Sequence, residues 1–168
     1  INAAADELVI EASGSGGMTI AAPDANPSFI DFVSPSSSAG ANRISWDYNS
    51  GAEAFKIQVD DKTMLFMQDG KVGIENGTLE TWRTTYTALQ IGGEGTIWAR
   101  TATGADGDFH IGQNVYQDEG DNQQEYMVTD QASEYVQSAG THTFKVAVSG
   151  TADAAITFTT GLTVENNA

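Results

Sequence analysis

The chain of 168 residues contains no cysteine, which excludes disulfide cross-links and thiolate metal ligands. It has only 3 prolines beside 18 glycines, a balance that favours many tight turns over a proline-rich linker. No segment approaches the ~18 consecutive apolar residues of a membrane-spanning helix. The first residues also lack the basic region of a signal peptide. The sequence therefore predicts no membrane insertion.

Basic residues are scarce as well. The chain has 7 Lys and Arg against 23 Asp and Glu, a formal net charge of −16. Such a surface repels the phosphates of nucleic acids and anionic membranes, so nucleic acid is excluded as a partner. The acidity could attract a divalent cation or a cationic partner. The simpler interpretation is a solvated acidic surface that keeps a β protein soluble.

The length fits one ordinary domain or two small β units. A hydrophobic content of 40%, with 3 Trp, 5 Tyr and 7 Phe, argues against disorder and supplies a core. The chain begins at Ile1 without an initiator methionine and ends abruptly at Ala168. These ends favour a fragment of a longer protein.

Hydrophobic periodicity indicates β-structure. Ile44, Trp46 and Tyr48 alternate with polar residues, as expected of a half-buried strand. The pair Asp69–Gly70 between two apolar runs is a strong hairpin signal. The sequence predicts an all-β fold of short antiparallel strands.

The predicted strands are 8–12, 18–21, 29–33, 43–48, 54–59, 63–67, 71–74, 88–91, 96–100, 109–111, 114–116, 124–128, 143–148, 155–159 and 162–164. Residues 79–86 receive no assignment. Asp130 to Tyr135 is predicted as one short helical turn with Asp130 as the N-cap.

The two halves of the chain echo one another at a spacing near 90 residues. Phe55-Lys56-Ile57-Gln58-Val59 resembles Phe144-Lys145-Val146-Ala147-Val148, and Glu75-Asn76 is matched by Glu165-Asn166. A repeat of this length is typical of modules stacked along an axis. We expect two successive β modules, at 1–77 and 78–168.

Motifs in both halves resemble repeat modules of bacteriophage tail fibres and virion appendages. In the second half the matching positions are Gly140, Thr141, His142, Phe144, Ala147, Ser149, Gly150, Thr151, Ala152, Ala155, Ile156, Phe158 and Thr159, preceded by 89–93 and 112–116. In the first half they are 6–10, 17–20 and the closing strand 70–75.

The resemblance implies a structural role in a virion. Modules of this kind often precede a C-terminal self-cleaving chaperone domain, which these 168 residues do not include. Similar fibres are typically homotrimers, so the resemblance implies self-association and contact with other virion proteins. A host-surface glycan or protein is a further candidate partner. Apolar positions on both faces of strands such as 29–33 and 64–67 are compatible with pairing between chains.

Few residues suggest chemistry. His110 and His142 lie 32 residues apart. They could form a catalytic or metal-binding pair, but the pattern favours two solvent-facing strand histidines. The loop 118–122 is the best cation-binding candidate because it is rich in oxygen ligands. Its spacing does not fit an EF-hand, and a solvated turn is the simpler interpretation. Asp60-Asp61 and 106–108 are weaker candidates.

Aromatic residues offer a second possibility, stacking on sugar rings, against a core role that alternating strand positions favour. The set consists of Trp46, Tyr48, Trp82, Tyr86, Trp98 and Tyr116. Paired carboxylates could hydrolyse glycans, although some of 23 acids will be close by chance. We predict no catalytic, cofactor-binding or metal-binding residue.

The sequence-based hypothesis is a non-catalytic structural module of a phage fibre or virion appendage, homotrimeric and located on the virion surface, that supports host attachment. The alternatives are a capsid decoration or head-fibre protein and a glycan-degrading tail spike. A bacterial surface adhesin or filament subunit is a more distant possibility.

Overall fold

The computed structural model describes residues 18–23, 26–33, 42–49, 52–75, 78–103 and 107–166. The strand predicted at 8–12 and the glycine-rich turn after it lie outside these residues. The described residues form thirteen strands and no helix, so the predicted all-β class is confirmed. Accordingly, this part of the chain contains no helix with the length and apolar character needed to cross a membrane.

The strands are β1 (Ser28–Asp31), β2 (Arg43–Asn49), β3 (Ala52–Val59), β4 (Lys62–Gln68), β5 (Lys71–Ile74), β6 (Tyr86–Ile91), β7 (Gly95–Arg100), β8 (Asp108–Gln113), β9 (Tyr116–Gln117), β10 (Gln124–Glu125), β11 (Ala132–Ser138), β12 (Thr141–Ala147) and β13 (Thr159–Val164).

Eleven of these strands form one sheet that follows the chain almost in order: β1 to β8, then β11, β12 and β13. Its neighbours are antiparallel except β5 and β6, which pair in parallel. The parallel pair requires a crossover, which residues 75–85 supply. The strands β9 and β10 form a separate two-stranded sheet within the connection between β8 and β11.

Three hairpins close through two-residue turns in which both backbone φ angles are positive. Asp69 (51°) and Gly70 (74°) join β4 to β5, as the sequence predicted. Asp60-Asp61 and Ala139-Gly140 make the same kind of turn. The right-handed twist of two paired strands favours this geometry, and Asp and Gly tolerate it better than most residues. Asp60-Asp61 therefore has a structural role in the β3–β4 turn.

The large sheet has two dissimilar faces. We call the face of Leu89 and Ile97 the open face, and the face of Ala88 and Trp98 the covered face. Successive residues of a strand point to opposite faces, so these pairs mark the two sides of β6 and β7. On β6, β7, β8 and β11, side chains of the covered face are buried beneath three connecting segments, 78–85, 114–131 and 148–158.

Aromatic side chains form the core on the covered face. The ring centroids of Trp82 and Trp98 are 5.5 Å apart, and Tyr116 meets the Trp82 ring edge-on at 6.0 Å. The buried core cluster comprises Trp82, Tyr86, Ala88, Trp98, Val115, Tyr116 and Met127, with Ile156 and Phe158 packed against it. The unassigned segment 79–86 thus contributes a central core residue.

Hydrogen bonds fix the covering segments to one another. Arg83 donates its backbone N–H to Gln117, and Ile156 donates to Gln124. Asn114 is fully buried, and its side-chain amide donates to the carbonyls of Val128 and Gln131. Its carbonyl accepts the N–H of Val128. Asn114 therefore ties the two ends of the long connection between β8 and β11 together.

The segments that echo each other in sequence occupy similar places. Phe55 and Phe144 lie on the open face, and Lys56 and Lys145 on the covered face. Each lysine sits over a phenylalanine ring, at 5.3 Å and 5.7 Å from its centroid. The parallel pair β5–β6 joins the segments assigned to the two modules, and the boundary at 77/78 stays a prediction.

Five local predictions are wrong. The helical turn expected at 130–135 is largely strand β11, in which Ala132, Glu134 and Val136 point to the covered face and are buried. Residues 156–158 have no strand pairing because they belong to the covering layer. Residues 18–21 also have no ladder partner among the described residues. The strands predicted at 114–116 and 124–128 are confined to the short pair Tyr116–Gln117 and Gln124–Glu125.

Two glycines of the predicted motifs lie where no side chain fits. A Cβ at Gly112 would be 2.4 Å from Cγ1 of Val115, and one at Gly150 would be 2.1 Å from Cε2 of Tyr126. The close approach at Gly150 lets Tyr126 pack against the backbone while its hydroxyl donates to the carbonyl of Val148 at 2.7 Å. Gly112 thus lets a covering segment approach the sheet closely, and Gly150 lets two covering segments approach each other.

We predict that Gly150→Ala lowers the free energy of unfolding by about 1–3 kcal/mol, because the Tyr126 ring must move. Gly161→Ala is the matched control, since a Cβ there would meet its nearest atom at 3.7 Å, an ordinary contact. Urea unfolding followed by tryptophan fluorescence would measure both. Equal effects of the two substitutions would contradict the close-packing explanation.

Candidate functional site

One row of apolar side chains crosses the open face. Residues directly opposite each other on paired strands lie on the same face, so the strand register defines the row. From β2 to β13 it consists of Trp46, Phe55, Met67, Val72, Leu89, Ile97, Ile111, Tyr135, Phe144 and Leu162. Ten successive strands of the sheet therefore each contribute an apolar or aromatic residue at one level.

The row is accessible to solvent in the single chain. Ile111 is 44% exposed, Phe144 47% and Leu162 54%, and no member of the row is buried. Neighbouring positions extend it, because Ile74, Ile91 and Val146 are also exposed on this face. A contiguous apolar surface of this kind is uncommon on a monomer and marks a contact surface.

Charged residues are segregated from this row. Between Leu65 of β4 and Val164 of β13, no strand residue on the open face is Asp, Glu, Lys or Arg. The ion pairs of the described strands lie on the covered face: Arg43–Asp31, Lys56–Asp47, Arg100–Asp108 and Lys145–Glu134. From Leu65 of β4 to β13 the sheet therefore has one charged face and one uncharged, largely apolar face, whereas β3 carries Glu53 on the open face.

The most enclosed charge on the covered face is Glu134 of β11, whose side chain has no exposed surface. One carboxylate oxygen lies 2.6 Å from Nδ1 of His110 and also accepts a hydrogen bond from the Gln124 amide. The other accepts from Nζ of Lys145 at 3.0 Å. The His110 ring stacks on Trp98 at 4.7 Å, which fixes its orientation.

These partners determine the charge state of Glu134. Burial alone would raise the pKa of its carboxyl, because the charged form loses hydration. The hydrogen bond with His110 and the charge of Lys145 outweigh burial, so the pKa of Glu134 lies below its usual value. His110 is also 3.4 Å from Asp108 through Nε2, although this contact lacks hydrogen-bond geometry. The network holds a buried carboxylate in its ionised form.

The two histidines do not form a pair. His110 is buried on the covered face, and His142 is exposed on the open face beside Tyr135. The predicted solvent-facing position is therefore confirmed for His142 and wrong for His110. In the register, His110 opposes Val136 and His142 opposes Gln137, which places their side chains on opposite sides of the sheet. The alternative of a joint catalytic or metal-binding histidine pair is therefore wrong.

The acidic loop is folded upon itself. Carboxylate oxygens of Asp118, Asp121 and Glu125 lie within 4.8 Å of one another. Oδ2 of Asp118 accepts the backbone N–H groups of Gly120 and Asp121, which shapes the turn. Burial, together with the nearby acidic charges, raises the pKa of Glu125, although the hydroxyl of Tyr116 donates to it at 2.9 Å. Glu119 belongs to the same acidic loop in sequence, but its carboxylate accepts hydrogen bonds from the backbone N–H and the hydroxyl of Thr84 instead.

The aromatic candidates divide between the two faces. Trp82, Tyr86, Trp98 and Tyr116 are buried, which confirms the core role for these four. Trp46 is 47% exposed and belongs to the apolar row. Sequence reasoning noticed the alternation in single strands but missed the row, because the row depends on register between strands that are far apart in the chain.

Comparisons with protein-family models, with curated proteins and with solved structures find no match to this chain. The resemblance to phage appendage modules consequently remains an expectation based on sequence motifs. The structure contributes the geometry of the open face and of the polar network behind it.

We predict that Glu134→Gln lowers the free energy of unfolding at pH 7 by about 3 kcal/mol, because it leaves Lys145 without its buried partner. The depressed pKa of Glu134 makes this contribution fully present above pH 4.5, its usual value. It is lost as the pH falls through the lower folded-state pKa. The difference between wild type and variant should therefore narrow in acid.

Asp47→Asn is the matched control. Its partner Lys56 is 3.1 Å away, but both side chains are partly exposed, so the expected loss is at most about 1 kcal/mol. Urea titrations at equal protein concentration, at pH 7 and below pH 4, would measure both. A Glu134→Gln effect that is independent of pH would contradict the assigned charge.

Proposed function

We propose that this chain is a non-catalytic structural module of a bacteriophage fibre or virion appendage. In this role it associates as a homotrimer, contacts other virion proteins and supports host attachment from the particle surface. Two successive modules of short strands form the unit, with a boundary near residues 77/78. The role requires a β scaffold that extends along one direction and offers a surface for assembly.

The single observation that carries the proposal is the apolar row on the open face. It runs from Trp46 to Leu162 across ten strands, perpendicular to the strand direction. A sheet that adds its strands nearly in chain order grows along one axis, as a shaft segment must. A catalytic site would instead need converging polar groups in a cleft. The broad neutral surface suits assembly better than chemistry.

The polar groups favour the same proposal. His110, Glu134 and Lys145 satisfy one another beneath the covering layer, which gives them a structural role. The carboxylates of Asp118 and Asp121 accept hydrogen bonds from the backbone and side chains of their own turn. These contacts account for the charged residues without a substrate.

Immunogold electron microscopy on the phage particles whose genome encodes this chain would test the assignment. An antibody raised against the chain should label fibres or other projecting appendages. Uniform label on the capsid surface would support the decoration alternative instead. Particles that carry no label, with the antigen found on the bacterial surface, would contradict the proposal and favour an adhesin. Release of reducing sugar from host polysaccharide would favour the glycan-degrading alternative.

The proposed homotrimer can be tested separately by measuring the mass of the assembly in solution. Light scattering on the purified chain should give a mass near three times 17.7 kDa. A stable mass of twice or four times the chain mass would overturn the trimer and leave the appendage assignment to the labelling experiment.

A further inference from the structure

We infer that the open face is the interface between copies of this chain, with the apolar rows of the copies packed against one another around a common axis. The inference deepens the proposed function by naming its assembly surface, and it rests on that function only for the stoichiometry. Its physical basis is the face itself, through its area, its lack of charge and its shape.

The area is of the size that a stable interface needs. Ten strands about 4.8 Å apart make the row roughly 48 Å long. Two residues of one strand on the same face are about 7 Å apart, so a band two side chains deep measures about 14 Å. The resulting surface is on the order of 700 Å², close to the ~800 Å² per partner of specific complexes. Leaving such a band in water would be costly for a single chain.

The distribution of charged side chains limits which surfaces of two copies can come into contact. Each chain has a net charge of −16, so two copies repel each other along most approaches. The open face between Leu65 and Val164 has no Asp, Glu, Lys or Arg on its strands. Contact over this part of the face therefore brings no like charges into direct opposition and buries no unpaired ion, and Glu53 lies at the β2–β3 end of the row. The acidic surface elsewhere then prevents association through the wrong face.

The shape favours a copy over an unrelated partner. Strands present side chains at a regular spacing, and two sheet faces pack with interdigitated side chains about 10 Å apart. Further copies have an apolar band of the same length and the same twist, so three bands that meet at a common axis can cover one another from Trp46 to Leu162. A shorter partner would leave one end of the band in water.

Matched substitutions on one strand provide the test. Leu162 and Thr160 are both exposed on β13, but Leu162 opposes Phe144 on the open face, whereas Thr160 opposes Lys145 on the covered face. We expect Leu162→Glu to raise the dissociation constant between copies at least a hundredfold, because the interface would bury unpaired carboxylates. Thr160→Glu should leave it unchanged.

Ile111→Glu places the same charge at the middle of the row, so a central position and an end position are both examined. Light scattering over a range of concentrations would give the mass of each variant, and far-ultraviolet circular dichroism would show that it is folded. The expected result is an assembled wild type and Thr160→Glu variant, with the two open-face variants shifted towards 17.7 kDa.

A wild-type chain that stays monomeric at all concentrations would overturn the inference. So would an assembly that withstands both open-face substitutions. A dimer that Ile111→Glu and Leu162→Glu dissociate would uphold the interface while overturning the proposed trimer, so the two failures are distinguishable.

Discussion

The constraint on which this structure depends is the register of a single sheet. Because side chains alternate along a strand, an offset of one residue in any pair would move its apolar residues to the opposite face. The observed register instead aligns ten apolar or aromatic side chains in one row, from Trp46 to Leu162, and places the ion pairs on the other face. Both the exposed apolar row and the buried network of Glu134 follow from that alignment.

The layer of connecting segments over the covered face buries the aromatic core that stabilises the sheet. The connections between strands carry Trp82, Val115 and Met127 over the sheet, and Asn114 holds the longest of them in place. The same layer encloses Glu134 with His110 and Lys145. Since this layer covers only one side, the apolar residues of the opposite side are exposed in the single chain, and the inferred interface between copies would cover them.

The sequence predicted much of the local structure and little of its arrangement. Alternation located β2, β3 and β12, and Asp69-Gly70 located a hairpin, because these signals depend on neighbouring residues. The covering layer was harder to predict. Residues 79–86 have no periodic pattern, and residues 156–158 alternate like a strand but pack against the aromatic core without strand pairing. The prediction of a helical turn at Asp130 is wrong because β11 forms ladder hydrogen bonds with both of its neighbours, β8 and β12. The apolar row could not be predicted without the register of every pair.

Methionine oxidation tests most directly whether the open face is covered in the assembled protein. Met67 belongs to the apolar row and is 38% exposed in the single chain, whereas Met18 is 55% exposed and lies outside the sheet. Limited hydrogen peroxide treatment, followed by peptide mass spectrometry, would report sulfoxide formation at each. If copies cover the face, Met18 is oxidised readily and Met67 is protected under native conditions. Oxidation of Met67 at a rate close to that of Met18 would contradict the covered open face.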